Sequence, residues 1–144
     1  MYRWVHQIYR SLIQSFSLYG IVAWGNAAKI HRTKIVTFQK RALRLIYLGD
    51  CKSHAIPSLI SSHLLPLDVL YFKAVAMMMH DASNNSTVPN IYNLFTHQAD
   101  IHPYETRSSL RRYYFLKRSR IDIQNIYFSR FGDKIWNSLS CKLR

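Results

Sequence analysis

The chain has 144 residues, the length of one domain, and 49% of them are hydrophobic, enough to build a folded core. Twenty Lys and Arg against seven Asp and Glu give a net charge of +13 and a pI of about 10.1, which points to an anionic partner, nucleic acid ahead of an acidic membrane surface. The composition argues against a disulfide scaffold, since the two cysteines, Cys51 and Cys141, lie far apart, and against a membrane span, since the longest apolar run, Val69 to Met79, is broken by Lys73 and falls short of about 20 residues.

In chain order, the spacing predicts an amphipathic helix ending at Trp24-Gly25, with Val5, Ile8, Leu12, Phe16, Tyr19 and Ala23 on one stripe at steps of three and four. It begins almost at once and without a capping approach, as expected of a chain whose natural upstream part is missing. Gly25 supplies a stop and Asn26 a cap for a second helix, from Lys29 to Ile46. There Ile35, Phe38, Ala42, Leu45 and Ile46 are expected to pack, with Lys29, Arg32, Lys40, Arg41 and Arg44 on the outer face. After Gly49-Asp50, Ser53 is placed to cap a short helix through Pro57 to about His63.

Pro66 favours the start of the next helix, and Asp68 suits its first turn, where the helix dipole favours a carboxylate. Its body, Leu67, Leu70, Tyr71, Ala74, Val75, Met77 and Met78, is apolar over a wide arc and is expected to be the most buried element. Asp81 to Pro89 reads as a flexible surface loop, and Ile91, Leu94 and Phe95 suggest one helical turn. Tyr113 to Leu116 and Ile126 to Phe128 have the aromatic and β-branched bias of short strands. Gly132-Asp133 is expected to turn the chain into a last helix holding Ile135, Trp136 and Leu139. The resulting expectation is a mainly α fold: a helical hairpin plus further short helices, with a small C-terminal β-hairpin. Residues 1–82 would form a helical domain, 83–90 a flexible loop, and 91–144 a basic C-terminal subdomain.

Charge is distributed unevenly. Residues 1–50 carry eight Lys and Arg against Asp50, a net of +7; residues 51–104 net −1; residues 105–144 carry ten against Glu105, Asp122 and Asp133, again +7. No catalytic constellation accompanies these cations. There is no Asp-Asp pair to hold two divalent ions, no glycine-rich phosphate loop and no nucleophile elbow around Ser61-Ser62 or Ser108-Ser109. Cys51 with His54, or His97 with His102 and Cys141, lack the paired spacing of structural zinc sites, so neither a metal nor another cofactor is expected.

What remains is binding. Lys29, Arg32, Lys40, Arg41 and Arg44 are the candidates for contact with a phosphate backbone, against the plainer reading of a solvated helix face. A second cluster, Arg107, Arg111, Arg112, Lys117, Arg118 and Arg120, is interleaved with Tyr104, Tyr113, Tyr114 and Phe115. Aromatics beside arginines suit a single strand, where bases stack and guanidinium groups hold phosphate; equally, those aromatics are the core face of a hairpin. Trp24 and Trp136, bulky residues near element ends, are assigned to packing.

Three blocks of sequence resemble a known family. Tyr9-Arg10-Ser11-Leu12-Ile13 with Ser17-Leu18-Tyr19-Gly20, Ala23-Trp24-Gly25-Asn26 and Phe38-Gln39-Lys40-Arg41-Ala42-Leu43-Arg44-Leu45-Ile46 forms the first. His102-Pro103-Tyr104-Glu105-Thr106-Arg107-Ser108 forms the second, and Gly132-Asp133-Lys134-Ile135-Trp136-Asn137-Ser138-Leu139 the third. Together they resemble the region after the palm of reverse transcriptases from non-LTR retrotransposons of the jockey-like type, with Ser140 where that family usually has Pro. The resemblance implies a non-catalytic thumb and C-terminal region of an RNA-directed DNA polymerase. Its second helix would lie beside the template–primer duplex, its partners would be RNA or an RNA–DNA hybrid and the upstream palm, and no small-molecule substrate or membrane would be involved. It also implies an intracellular setting, the nucleus included. A different class of reading is a protein-interaction or assembly module, or an inactive remnant of a transposable element.

Overall fold

The computed structural model describes residues 3–46, 64–101, 104–121 and 127–140. Of these, 67% are helical and none is in a strand, so the fold is mainly α. The chain divides into two compact units, residues 1–71 and 72–144. The short helix expected between Ser53 and His63 lies outside the described residues, as do Cys51, His54, His102 and Cys141.

The first unit opens with α1 (Arg3–Ile8), a π turn (Tyr9–Gln14) and α2 (Ser15–Leu18), through which the backbone stays right-handed helical at both joins. Serines 11, 15 and 17 each bond a carbonyl one turn back, at Ile8, Ser11 and Ile13, which loosens the α ladder along this rod. The turn Tyr19-Gly20 ends it. Gly20 takes φ +60°, a conformation glycine adopts without steric cost, and the short α3 (Ile21–Trp24) follows. The long α4 (Lys29–Ile46) then runs back.

Tyr9, Ala42, Leu43 and Leu64 form a core cluster in this unit, with Ile13 and Ile46 packed against it. Buried Gln39 donates from Nε2 to the Leu65 carbonyl at 3.1 Å and interacts with the Tyr9 hydroxyl, whose pKa burial pushes up. One amide therefore ties three segments together. Gly25 is needed where the chain passes the Tyr71 ring, which a Cβ would strike.

The expected packing stripe of the first helix is corrected. Leu12, Phe16 and Tyr19 are exposed, the last two at 83% and 86%, and Tyr9 is buried in their place, with Ile13 half-buried. A π turn bonds i to i+5 rather than i+4, so it rotates the face beyond it away from a uniform 3.6-residue stripe. On α4, Ala42 is buried and Ile35 and Ile46 are half-buried, as the spacing predicts, whereas Phe38 and Leu45 are exposed. At about 100° per residue, those two lie on the far side from Gln39 and Leu43, which close the inner face.

The boundary between the units falls within α5 (Leu67–Ser83). Leu67, Leu70 and Tyr71 are buried in the first unit; Val75, Met79 and Ala82 are buried in the second. Met77, expected inside, is exposed, because the inward positions are the i+4 row Val75–Met79. Asn85, at φ +54°, terminates the helix, with Ser86 bonded back to the Asp81 carbonyl. The single turn expected at Ile91, Leu94 and Phe95 lies earlier, as α6 (Pro89–Tyr92) with Pro at its start, so that Leu94 and Phe95 follow it. After a 3-10 turn (Gln98–Asp100) come α7 (Arg107–Leu110) and α8 (Phe128–Ser138).

The expected β-hairpin is not formed among the described residues. Tyr114 makes one isolated antiparallel bridge, with His97, through Gln98 N–H to Tyr113 O at 2.9 Å and Phe115 N–H to Thr96 O at 2.8 Å. On its other side, where a second strand was expected, the Asn137 side chain accepts from Tyr114 N–H at 3.0 Å and donates to Tyr114 O at 2.9 Å. Both backbone edges at Tyr114 are thus satisfied without a partner strand, and Phe128 opens α8 instead. Asn137→Asp is expected to lower the stability of this unit by about 1–3 kcal/mol in urea denaturation, because it sets a carboxylate against the Tyr114 carbonyl.

Gly132 lies inside α8 rather than ahead of it, a further correction. A Cβ there would sit 2.6 Å from Met79 Sδ, so the missing side chain lets α8 approach α5. The second core is aromatic: Phe95 packs on Tyr114 and on Phe128, each at 5.5 Å between ring centres, and Tyr114 lies 6.0 Å from Trp136. No helix among the described residues is long and apolar enough to cross a membrane.

Candidate nucleic-acid interface

The first candidate face lies on α4. At about 100° per residue, Lys29, Lys40, Arg44, Arg41 and Lys34 fall in one arc of about 140° opposite the buried arc of Gln39, Ala42 and Leu43. Lys29, Lys34, Lys40 and Arg41 are exposed. Lys29, Lys34 and Arg41 line an open groove of about 670 Å³ together with Ile30 and Phe38. Lys34 was not among the candidates drawn from the sequence. The signal that finds it is its angular position, level with Arg41 seven residues, about two turns, along.

Arg32 belongs elsewhere. It falls on the inner side of the helix, where its guanidinium pairs with Asp68 and faces Tyr71. Both members of that pair are partly exposed, so it contributes no more than about 1 kcal/mol. Its engagement removes Arg32 from the outer face. Arg44 is half-buried and already engaged within the protein.

The second cluster does not form one surface. Arg107 lies exposed on α7, whose start is held by a capping box: Thr106 Oγ1 accepts from Ser109 N–H, and Ser109 Oγ accepts from Thr106 N–H. Arg112 takes φ +53°, and its carbonyl accepts from the Trp136 indole N–H at 3.2 Å. Arg111 and Arg112 are exposed beside this turn. Tyr114 is a core residue, 2% exposed and stacked on His97 at 4.3 Å, which excludes it as a platform for a base. Tyr104 stays exposed. Burial lowers the pKa of His97 and raises that of Tyr114.

Lys117 and Arg118 stand apart from these arginines. They line a cavity of about 210 Å³ with Leu94, Tyr127, Ser129, Arg130 and Asp133; Tyr127 precedes α8 and the last three lie in its first half. Asp133 is only 6% exposed, and its Oδ1 has no hydrogen-bond partner. Burial pushes its carboxyl up to about 7, and Lys117 and Arg130 limit the rise. The sequence marked the two cations but not Arg130, Ser129 or Asp133, which sit on one helix with nothing in their spacing to bring them opposite residues 117–118.

Among the described residues no three His, Cys, Asp or Glu side chains converge as a metal-holding group. Cationic side chains gather at two places among the described residues, one on each unit. No family model, no curated protein and no solved structure matches the chain.

Proposed function

We propose that this chain binds nucleic acid without catalysing a reaction on it, as the thumb and C-terminal region of a jockey-like non-LTR retrotransposon reverse transcriptase. The observation that carries this reading is the exposed arc of Lys29, Lys34, Lys40 and Arg41 on one side of α4, with the opposite side buried. Phosphates repeat along a strand, and a helix carrying cations over several turns of one face meets them in series. The three blocks of family-like sequence give the nucleic acid its identity: an RNA template with the DNA copied from it. The chain's seven carboxylates are scattered singly along the sequence, so the metal-dependent chemistry of polymerisation is assigned to the palm of the parent enzyme.

A salt titration tests this. The full chain is expected to bind an RNA–DNA hybrid at submicromolar Kd in 50 mM salt, with a log–log slope near −5 if about six phosphates are neutralised, so that affinity falls about a thousandfold by 200 mM. Lys34→Glu with Arg41→Glu should reduce the slope by about two. A folded sample that fails to bind, or whose binding ignores salt, would overturn the proposal.

One observation favours a second reading, a protein-interaction module. Trp4, Ile8, Leu12 and Phe16 stand exposed at steps of four along the first helical rod, an unpartnered apolar row that suits another protein surface, the palm among them. An interface of that kind would keep its affinity as salt rises and would tolerate both charge reversals.

A further inference from the structure

We infer that the cavity beside Asp133 takes one unpaired nucleotide of a single strand, with its phosphate on Lys117, Arg118 and Arg130 and the donor edge of its base, guanine by preference, on the Asp133 carboxylate. This rests on the nucleic-acid reading and names what one of the two basic places would select.

The cavity sets two requirements at once. Three cations line it, and in their midst a carboxylate oxygen is buried without a partner. A buried acceptor left unsatisfied is costly, and native proteins rarely leave one unless something fills it. Arg130, which also lines the cavity, has its Nε buried without a partner. A bare phosphate would satisfy the cations but repel the carboxylate. A metal cation would satisfy the carboxylate but be repelled by Lys117, Arg118 and Arg130. An apolar molecule would leave both groups unmet. A ligand that carries an anion at one end and polarised N–H groups at the other meets both requirements, and a nucleotide has that form.

The base edge narrows the choice. A carboxylate presents two acceptor oxygens and, when ionised, no donor. The Watson–Crick edge of guanine offers N1–H and the N2 amino group side by side. Cytosine offers one amino group next to an acceptor nitrogen, adenine the same, and uracil a single N–H between two carbonyls. Only guanine meets a carboxylate with two donors and no opposing acceptor between them. Because that edge is used up in a duplex, the nucleotide must be unpaired. The volume, about seven times the share of one water molecule in the liquid, suits one base rather than a helix. Tyr127 and Leu94, both largely exposed at the cavity, supply an aromatic ring and an apolar wall for its faces.

The test compares labelled octauridylate with the same RNA carrying one central guanine, titrated with the full chain at pH 8, where Asp133 is ionised. The guanine oligomer is expected to bind roughly tenfold tighter. Asp133→Asn should bring the two affinities together, and Lys117→Ala with Arg118→Ala should weaken both oligomers alike. With the unsubstituted chain, guanosine 5′-monophosphate should displace the labelled octamer at lower concentration than uridine 5′-monophosphate. Equal binding of the two oligomers, or a guanine preference that survives Asp133→Asn, would overturn the inference while leaving the broader reading in place. Failure of both oligomers and of the hybrid to bind would overturn the two together.

Discussion

Trp136→Ala should lower the stability of the second unit by about 3–5 kcal/mol, the largest effect expected of any single truncation in the chain. The side chain is 1% exposed and packs beside Tyr114, and its indole N–H is the partner of the Arg112 carbonyl. Truncation therefore leaves a cavity and orphans an acceptor in a turn that already holds Arg112 at positive φ. Urea denaturation followed by far-ultraviolet circular dichroism measures the change. Trp136→Phe separates the two contributions: it keeps most of the volume and loses only the donor, so it should cost no more than about half as much. A loss below about 1 kcal/mol for the alanine variant would mean that Trp136 does not organise this core.

Raising the pH should destabilise the same unit through Asp133. The unfolded carboxyl titrates near 3.8, whereas in the folded protein burial moves it to about 7. Between those values the folded state holds a proton that the unfolded chain has released, so the contribution of Asp133 is full below 3.8 and is lost as pH rises through about 7. A gap of roughly three units corresponds to a loss on the order of 4 kcal/mol. His97 acts with the opposite sign. Its folded pKa is lowered, so its contribution is present above 6.5 and is lost as pH falls from there through the lower folded value. Comparing Asp133→Asn with the parent chain cancels the His97 effect. The variant should be more stable at pH 8 by a few kcal/mol and should have lost the downward slope between pH 4 and 7. Parallel profiles for the two proteins would show that Asp133 is not buried as a charge.

Much of the helical architecture was legible in the sequence, because long apolar periodicity and turn residues act locally. Pro66, Asp68 and the apolar run from Leu67 place α5, and Gly25-Asn26 separates the first helical stretch from α4. What was not legible depends on partners distant in sequence. The π turn at Tyr9–Gln14 leaves the composition amphipathic but rotates the buried face from Leu12 and Phe16 to Tyr9 and Ile13. Arg32 looks like any other cation on α4 until Asp68 arrives opposite it. Tyr113 to Leu116 has strand chemistry, yet a side-chain amide from α8 takes the place of a neighbouring strand.

The candidate sites follow the same division. Local spacing was enough to mark the cations of α4 and of residues 117–118, whereas the buried Asp133 among them depends on how residues 117–118 meet α8. Several residues of the family-like blocks are framework in this structure. Thr106 caps α7, Gly132 admits Met79, and Trp136 and Asn137 fasten the segment from Arg112 to Tyr114.

The Asn137 clamp has a consequence for how copies of the chain behave toward one another. An extended segment with unpaired N–H and C=O groups is a template onto which a second molecule can add a strand, the first step of edge-to-edge aggregation. Around Tyr114 those groups are already occupied: residues 96–98 engage Tyr113 O and Phe115 N–H on one side, and on the other the N–H and C=O of Tyr114 are held by a side chain that cannot propagate a ladder. The strand-like stretch from Tyr113 to Leu116 is thereby closed to intermolecular growth at Tyr114.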